Sequence, residues 1–305
     1  MSHTIGNAYA ASLGCDHSSD SAGERGTLTD RIIYTCGDSH TAGGELVDHA
    51  LWPDQHPGFW GLDEIDLRNP KAMQRWREFR ERKLRANDPV GYEEWQHLER
   101  LNAWPEELYA LGNLQVENAA VIGQSMEWVA RQACTDVARL IGTHSPHDIT
   151  AIIQPPTHVR LQHYNVISRS WGSFQLGNAQ GMDPTVHEWF VNNEDDDSLL
   201  TRWMISLMGL CSTLQYLGVR VILINAGMPD MNAVLEQHRV LNQLREDLST
   251  MAIAALYKRL CEHLWHPRSM WDLARTVDKP YCPDLHWRRE VHQLLAQDLL
   301  DSYDL

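Results

Sequence analysis

The sequence has 305 residues, with 26 lysines and arginines against 41 aspartates and glutamates, which gives a formal net charge of −15. This charge argues against nonspecific binding to nucleic acid or to anionic lipid, since both need a basic protein surface. A hydrophobic fraction of 43% with 22% charged residues is ordinary for a globular protein with a full core.

The N-terminal residues 1–28 mix serine, glycine, aspartate and alanine without a hydrophobic period, which predicts a flexible arm. This stretch has no apolar signal-peptide core, and no run in the sequence approaches the roughly 18 apolar residues of a membrane span. The 6 cysteines are scattered rather than paired, which favours free thiols in a reducing compartment. We therefore expect a soluble protein, cytoplasmic or virion-associated, without a membrane partner.

Apolar runs alternate with helical periods through residues 29–305. Residues 31–36 are nearly all apolar, the pattern of a parallel strand covered on both faces. Further strand candidates are residues 114–122, 148–153 and 218–225, and the helix candidates are residues 124–141, 199–217, 231–264 and 287–300. Gly142 and Gly218 follow two of these helices, at the position where glycine commonly ends a helix. Residues 267–283 are expected to be irregular.

Residues 45–113 differ from the rest of the chain and predict an insertion after the first strand. The tryptophans of this region are Trp52, Trp60, Trp76, Trp95 and Trp104. Because large aromatic side chains mostly bury area, we expect them to pack the insertion onto the main domain. The alternative is that they line a substrate groove.

Strands that alternate with helices predict an α/β domain. We expect a three-layer sandwich around a central, mainly parallel sheet of about five strands in the flavodoxin-like order. Ligands bind outside the carboxyl ends of the strands in such sheets. The residues that follow predicted strands are Ser39, Gly123, Thr157 and Asn225. They are therefore expected at one edge of the sheet.

Short motifs in a fixed order resemble the SGNH, or GDSL, hydrolase family. In chain order they are Gly37-Asp38-Ser39, Gly123, Thr157 and Asp284-x-His286. The resemblance implies an SGNH-type domain over residues 29–305 that hydrolyses esters. It covers most of the chain after the predicted arm.

The resemblance implies a catalytic triad of Ser39, His286 and Asp284. Ser39 would be the nucleophile, and His286 the general base and then the general acid. Asp284 would orient the imidazole. A serine hydroxyl is inert at neutral pH without a base, and a histidine with an unperturbed pKa of about 6.5 suits that role. The alternative interpretation makes Ser39 and Asp284 helix N-caps.

The resemblance also implies an oxyanion hole made by the Ser39 backbone N–H, the Gly123 N–H and an asparagine side chain after the third strand. Thr157 stands where that asparagine is expected. Its hydroxyl is one candidate donor, and the alternatives are His158, Asn118, Asn165 and Asn225. If none of them donates, the fold persists with weak or no hydrolysis.

Polar residues near these motifs are candidates for substrate binding, namely Asp38, His40, His158 and Arg160. For Arg160 we favour a structural ion pair over a clamp for a substrate carboxylate. The expected substrate is a small-molecule or carbohydrate ester, which indicates a carbohydrate deacetylase or a short-chain acyl esterase. The alternative is a catalytically weakened binding or structural protein, for example one associated with a phage virion. The oligomeric state is not predicted.

No cofactor and no metal are expected. The sequence has no phosphate-binding glycine loop and no dinucleotide fingerprint. Cys261-x-His263-x-x-His266 and the pair His49 and His56 do not repeat a zinc spacing. The segment 36–41 also resembles part of the aconitase family. That chemistry needs three cysteines, two of them closely spaced, and the sequence lacks such a pair.

Overall fold

The computed structural model describes residues 31–43, 100, 103–165, 169–175, 188, 196–226, 248–278, 280 and 286–305. The predicted N-terminal arm and most of the predicted insertion lie outside these residues, so the domain boundaries stay predictions. Asp284 also lies outside them.

The central sheet is parallel and contains four of the six described strands. The strands are β1 Ile32–Cys36, β2 Gln115–Asn118, β3 Ile149–Ile153, β4 Arg160–Asn165, β5 Ser170–Gln175 and β6 Arg220–Leu223. The sheet order is β2-β1-β3-β6, with every neighbouring pair parallel. This order is the flavodoxin-like one expected from the sequence. β4 and β5 form a separate antiparallel hairpin, which the sequence pattern did not predict.

Seven α-helices are found in the described residues. They are α1 Ser39–Ala42, α2 Trp104–Gly112, α3 Met126–Ile141, α4 Asp196–Tyr216, α5 Leu248–Cys261, α6 Met270–Ala274 and α7 Arg289–Ser302. Short 3-10 turns at Pro146–Asp148 and Glu262–Leu264 precede β3 and follow α5. None of the described helices combines the length and the apolar character needed to cross a bilayer.

α6 and β2 differ from the sequence prediction, and side-chain hydrogen bonds account for both differences. α6 lies in the region expected to be irregular, and a capping box starts it. The Ser269 hydroxyl accepts the Asp272 N–H at 3.1 Å, and the Asp272 carboxylate accepts the Ser269 N–H at 3.0 Å. β2 ends at Asn118, earlier than expected, and the Asn118 side chain accepts the Ala120 N–H at 3.1 Å.

α3 begins and ends differently in detail from its prediction. Its N-cap is Ser125, whose hydroxyl accepts the Trp128 N–H, so the helix starts at Met126 rather than at Gln124. Gly142 is the C-cap, but its φ of −66° is right-handed. Gly142 therefore does not use the conformational freedom that glycine provides at many helix ends.

The strands bury side chains on both faces, which confirms the three-layer α/β fold. In β1, Ile32, Tyr34 and Cys36 belong to one core, and Ile33 belongs to the other. Helices α3, α4 and α5 cover the first face of the sheet, and α2, α6 and α7 cover the second. Successive side chains of a strand point to opposite faces, so an all-apolar strand needs both layers.

The sheet order also fixes where a ligand site would form. β2 and β3 lie on opposite sides of β1, which makes the gap between β1 and β3 a topological switch point, the usual ligand crevice of open α/β sheets. The register pairs Cys36 with Ile153. The turn that carries Ser39 and the residue after β3, Gln154, therefore lie side by side at this crevice.

Candidate active site

Ser39 occupies the first position of α1, directly after the turn that ends β1. Asp38 is the N-cap, and its Oδ1 accepts the His40 N–H at 3.1 Å. α1 lasts one turn and ends at Gly43, whose φ of 75° lies in the left-handed region that glycine tolerates. Ser39 is 3% exposed. The cap of this helix is thus Asp38, which leaves the Ser39 side chain without a capping role.

Gln154 attaches this turn to the end of β3. Its Oε1 accepts the Asp38 N–H at 3.1 Å and the Thr41 hydroxyl at 3.2 Å, and its Nε2 donates to the Pro155 carbonyl at 2.9 Å. A Cβ at Gly37 would lie 2.6 Å from Thr41 Oγ1 and 2.8 Å from Gln154 Oε1, so only glycine fits there. Sequence reasoning missed Gln154, although a polar residue directly after a buried strand is a signal for such a role.

Asp38 and Arg160 form a largely buried ion pair. Arg160 Nη1 lies 2.6 Å from Asp38 Oδ2, with the side chains 17% and 2% exposed. Asp38 therefore uses one oxygen to cap α1 and the other to bind Arg160. Arg160 is an ion-pair partner inside the fold, and substrate binding by either residue stays a prediction.

His286 reaches the Ser39 turn from the other end of the chain. Its ring centroid lies 5.1 Å from that of His40, the residue after Ser39, and the Trp287 ring lies 6.3 Å from that of His40. The structure thus brings together the two segments expected to carry the nucleophile and the base. Hydrogen bonding between Ser39 and His286 stays a prediction, as does the role of Asp284.

A buried third histidine, His292 on α7, lies behind this pair. Its Nδ1 accepts the Trp104 N–H at 3.1 Å. Burial, and then the electrostatic influence of the nearby His40 and His286, lower the pKa of His292 to about 3. His292 is therefore neutral at physiological pH, and its proton is on Nε2 because Nδ1 accepts a hydrogen bond.

Trp287 anchors the segment that carries His286. Its indole Nε1 donates to the Ala226 carbonyl at 2.6 Å, just beyond β6, and its side chain is 1% exposed. Sequence reasoning missed Trp287 and His292. Their roles depend on contacts between distant segments, and no spacing in the sequence signals them.

The three predicted oxyanion donors follow β1, β2 and β3. Gly123 has a φ of 79°, and a Cβ there would meet nothing within 4 Å, so the space beside its backbone is open. Thr157 Oγ1 is buried and has no hydrogen-bond partner in the part of the chain that the structure describes. Such a hydroxyl is uncommon in folded proteins. Convergence of the three donors on one point stays a prediction.

The alternative donor Asn118 already has both functional groups engaged. Its Nδ2 donates to the Thr41 carbonyl at 3.4 Å, and its Oδ1 accepts the Ala120 N–H. Asn118 thus links the end of β2 to α1. His158 and Asn225 also interact with other residues, and the Asn165 side chain lies outside the described atoms.

Within the described ranges, no group of three or more histidine, cysteine, aspartate and glutamate side chains could hold a metal ion. In the sequence Cys261-x-His263-x-x-His266, the cysteine and the last histidine have other partners. Cys261 contacts Cys211 in the core, and His266 Nε2 lies 2.8 Å from Asp298 Oδ2. His49 and His56 lie outside the described residues.

Comparisons with known proteins found similar solved structures only. No family model and no curated protein matched the chain. A member of the lipolytic G-D-S-L family from Veillonella parvula is 11% identical, with a TM-score of 0.38, over 90% of this chain and 98% of that one. It belongs to the family that the sequence motifs resemble.

Two esterases are similar at the same level. The psychrotrophic esterase EstA from Pseudoalteromonas sp. is 10% identical, with a TM-score of 0.41, over 89% of this chain and 96% of that one. A carbohydrate esterase, whose active site displays divergent catalytic and non-catalytic binding functions, is 12% identical, with a TM-score of 0.42, over 90% and 68%. Such low identities and scores carry no argument about function, and the fold assignment rests on the sheet order and layers of this chain.

Proposed function

We propose that this protein is a serine ester hydrolase that forms an acyl-enzyme on Ser39. The proposal rests on the position of His286. Its ring centroid lies 5.1 Å from that of His40, the residue after Ser39, at the switch point of the sheet. A serine needs a nearby base to become a nucleophile, and His286 is a histidine from a distant segment placed next to that turn.

In the proposed reaction, His286 takes the hydroxyl proton of Ser39 while Oγ attacks the carbonyl carbon of the ester. The oxyanion of the tetrahedral intermediate is held by the N–H groups of Ser39 and Gly123 and by the Thr157 hydroxyl. His286 then gives the proton to the leaving alcohol, which leaves the acyl group on Ser39. A water molecule, deprotonated by the same histidine, attacks the acyl carbon; the bond to Ser39 Oγ breaks, the carboxylic acid leaves, and His286 returns the proton to Oγ. Asp284 orients His286 and stabilises its charged form.

The neutral state of His292 supports His286 as a base. A permanent positive charge behind His286 would lower the pKa of His286 and weaken it as a proton acceptor. Because the pKa of His292 is about 3, His292 is neutral and adds no positive charge at working pH. It also binds the backbone of Trp287, next to the proposed base.

We propose that the substrate is a small-molecule or carbohydrate ester. The protein would then be a carbohydrate deacetylase or a short-chain acyl esterase. The net charge of −15 disfavours polyanionic substrates through long-range repulsion. A panel of acetylated sugars compared with simple acyl esters would separate these two substrate classes.

Covalent labelling with a fluorophosphonate tests the proposal most directly. We expect one adduct on Ser39, hydrolysis of p-nitrophenyl acetate, and loss of both in Ser39→Ala and His286→Ala proteins that remain folded. Ser145→Ala is a suitable control, because Ser145 is exposed and precedes β3 at the opposite edge of the sheet. Well-folded protein that gives no adduct and no hydrolysis would overturn the proposal.

A catalytically weakened binding or structural protein, such as a virion-associated one, is the second candidate function. The observation that favours it is Thr157 at the position expected for asparagine. This candidate predicts that the folded protein binds an acetylated sugar without releasing acetate. Calorimetric titration with the sugar, followed by an acetate assay, distinguishes it from the hydrolase.

A further inference from the structure

We infer that Gln154 is a positioning residue for the nucleophile, holding the turn of Ser39 in its reactive orientation. The inference rests on the proposed hydrolase function and adds to it a residue outside the predicted triad and oxyanion hole. Gln154 is fully buried at the β1/β3 crevice, and its side chain makes three hydrogen bonds.

The need for an outside support follows from the size of α1. α1 has four residues, and a single helical turn is unstable on its own because nucleation fixes several dihedral angles for one hydrogen bond. The orientation of Ser39 therefore depends on bonds from neighbouring elements. Gln154 holds the turn at both ends, through the Asp38 N–H before Ser39 and the Thr41 hydroxyl after it.

Gln154 is itself held by one backbone bond to the sheet and one side-chain bond to the next residue. Its backbone N–H donates to the Cys36 carbonyl at 2.9 Å, which continues the β1/β3 ladder, and its Nε2 donates to the Pro155 carbonyl. The amide thus cannot rotate without losing a bond at one end or the other. Gln154 thus fixes the Ser39 turn to the end of β3, while Asn118 bonds it to the end of β2 and Arg160 pairs with Asp38.

The same residue links two parts of the proposed oxyanion hole. Ser39 follows β1, and Thr157 follows Gln154 on the chain that leaves β3. Gln154 lies three residues before Thr157 on the same segment and hydrogen-bonds the turn that carries Ser39, so it connects the segment of the third donor to the nucleophile. A misplacement of about 1 Å in such a constellation can cost about 10²-fold in rate.

The amide chemistry at position 154 is specific. Oε1 accepts two hydrogen bonds while Nε2 donates one, and only a glutamine, or a protonated glutamic acid, provides this pattern at this length. Methionine has a similar shape but lacks both functions. An ionised glutamate would place a charge near the Asp38 carboxylate and its partner Arg160, and an oxygen against the Pro155 carbonyl.

The test measures the rate of fluorophosphonate modification of Ser39 separately from its final extent. For Gln154→Met we expect modification about tenfold or more slower, complete at the end, with a lower kcat and little change in KM. The matched control is Gln162→Met, another buried glutamine, whose Oε1 accepts from Arg131 Nη2 at 2.7 Å. Gln162→Met is expected to lose thermal stability but to react with the fluorophosphonate as fast as the wild-type protein.

Gln154→Glu supplies a conservative variant that remains informative if Gln154→Met does not fold. Burial raises the pKa of a carboxyl group, so the protonated acid that restores the hydrogen-bond pattern forms as the pH falls. We divide the rate of fluorophosphonate modification of Gln154→Glu by that of the wild-type protein at the same pH. We expect this ratio to rise as the pH is lowered from about 8 to about 5.

Three outcomes overturn the inference. If the fluorophosphonate modifies Gln154→Met as fast as the Gln162→Met control, Gln154 has no positioning role, and the hydrolase proposal is unaffected. A rate ratio for Gln154→Glu that stays at one across the pH range would do the same. If the wild-type protein does not react with the fluorophosphonate, the hydrolase proposal is overturned, and this inference with it.

Discussion

Thr157 combines two properties that together suggest a functional hydroxyl. It stands where the family resemblance expects an asparagine, and its buried Oγ1 has no partner among the described residues. Leaving a buried polar group without a partner typically costs about 1–3 kcal/mol of stability. That cost is understandable if the hydroxyl is kept to bind a charge that develops only during the reaction.

Thr157→Val should therefore separate stability from activity. We expect the free energy of unfolding to stay the same or rise, because the substitution removes an unpartnered polar group without changing the volume much. We expect kcat to fall about 10²-fold, the usual loss for one oxyanion donor. Urea unfolding and ester hydrolysis measure the two quantities, with Thr157→Ser as the control that keeps the hydroxyl. Unchanged kcat in Thr157→Val would exclude Thr157 as a donor.

The Asp38–Arg160 ion pair makes a second prediction at the level of residues. Arg160→Met leaves the Asp38 carboxylate buried without its partner, which typically costs about 3–5 kcal/mol. Asp38→Asn combined with Arg160→Met should recover part of that loss, because no buried charge remains. Chemical denaturation of the single and double variants measures the coupling. A double variant whose losses simply add would show that the pair contributes nothing as a pair.

At the scale of secondary-structure elements, His292 joins α7 to the start of α2 and makes that junction sensitive to pH. The pKa of His292 is about 3 in the folded protein, against about 6.5 for an unperturbed histidine. Between these values the unfolded chain binds a proton that the folded protein does not. The free energy of unfolding should therefore fall as the pH decreases through this window.

His292→Asn provides the control for this pH dependence. The asparagine Oδ1 can replace Nδ1 as acceptor for the Trp104 N–H, but asparagine does not titrate. We expect the slope of unfolding free energy against pH to become shallower by up to about 1.4 kcal/mol per pH unit in this window. An identical slope in both proteins would show that His292 is not the titrating group.

The elements that could be predicted from sequence were those with a strong apolar pattern. β1, β3 and β6 bury most of their side chains on both faces, so their sequences are largely apolar, with Thr35, Thr150 and Arg220 as the exceptions. β4 reads Arg-Leu-Gln-His-Tyr-Asn and has neither a continuous run nor a clean alternation, so the hairpin was missed. α6 was missed because five residues are too few for a helical period, and its capping box is its only local signal.

The candidate site divides in a similar way. Ser39 and His286 could be proposed because short motifs mark them at the end of a strand and before the last helix. Gln154, Trp287 and His292 could not, because their partners are far away in sequence: Asp38, Ala226 and Trp104. Such tertiary hydrogen bonds leave no periodic or compositional trace for Trp287 and His292, and the position of Gln154 directly after a buried strand marks it as a candidate without naming its partner.

For the whole molecule, the three-layer arrangement predicts independent cores. Leu207 on α4 packs on one face of the sheet and Leu295 on α7 on the other. Each leucine-to-alanine substitution should cost about 2–5 kcal/mol. Because the sheet separates them, the double variant should be additive within about 0.5 kcal/mol.

A matched pair within one layer completes this experiment. Met204 and Leu207 are both buried on α4 and belong to the same core. Residues three apart on a helix are neighbours, so Met204→Ala and Leu207→Ala should deviate from additivity. Urea unfolding measures both pairs. Strong coupling between Leu207 and Leu295 would contradict the separation of the two cores.

The contact between Arg31 and Asp304 has a practical consequence for engineering. Arg31 precedes β1, and its Nη1 lies 3.2 Å from Asp304 Oδ2, while Arg220 at the start of β6 donates to the Asp304 carbonyl at 3.1 Å. At the amino edge of the sheet, on the side away from Ser39, residue 31 before β1 therefore lies next to residue 304 after α7. Domains with adjacent ends tolerate circular permutation. A short linker from residue 305 to residue 31 would keep the neighbours of every described strand.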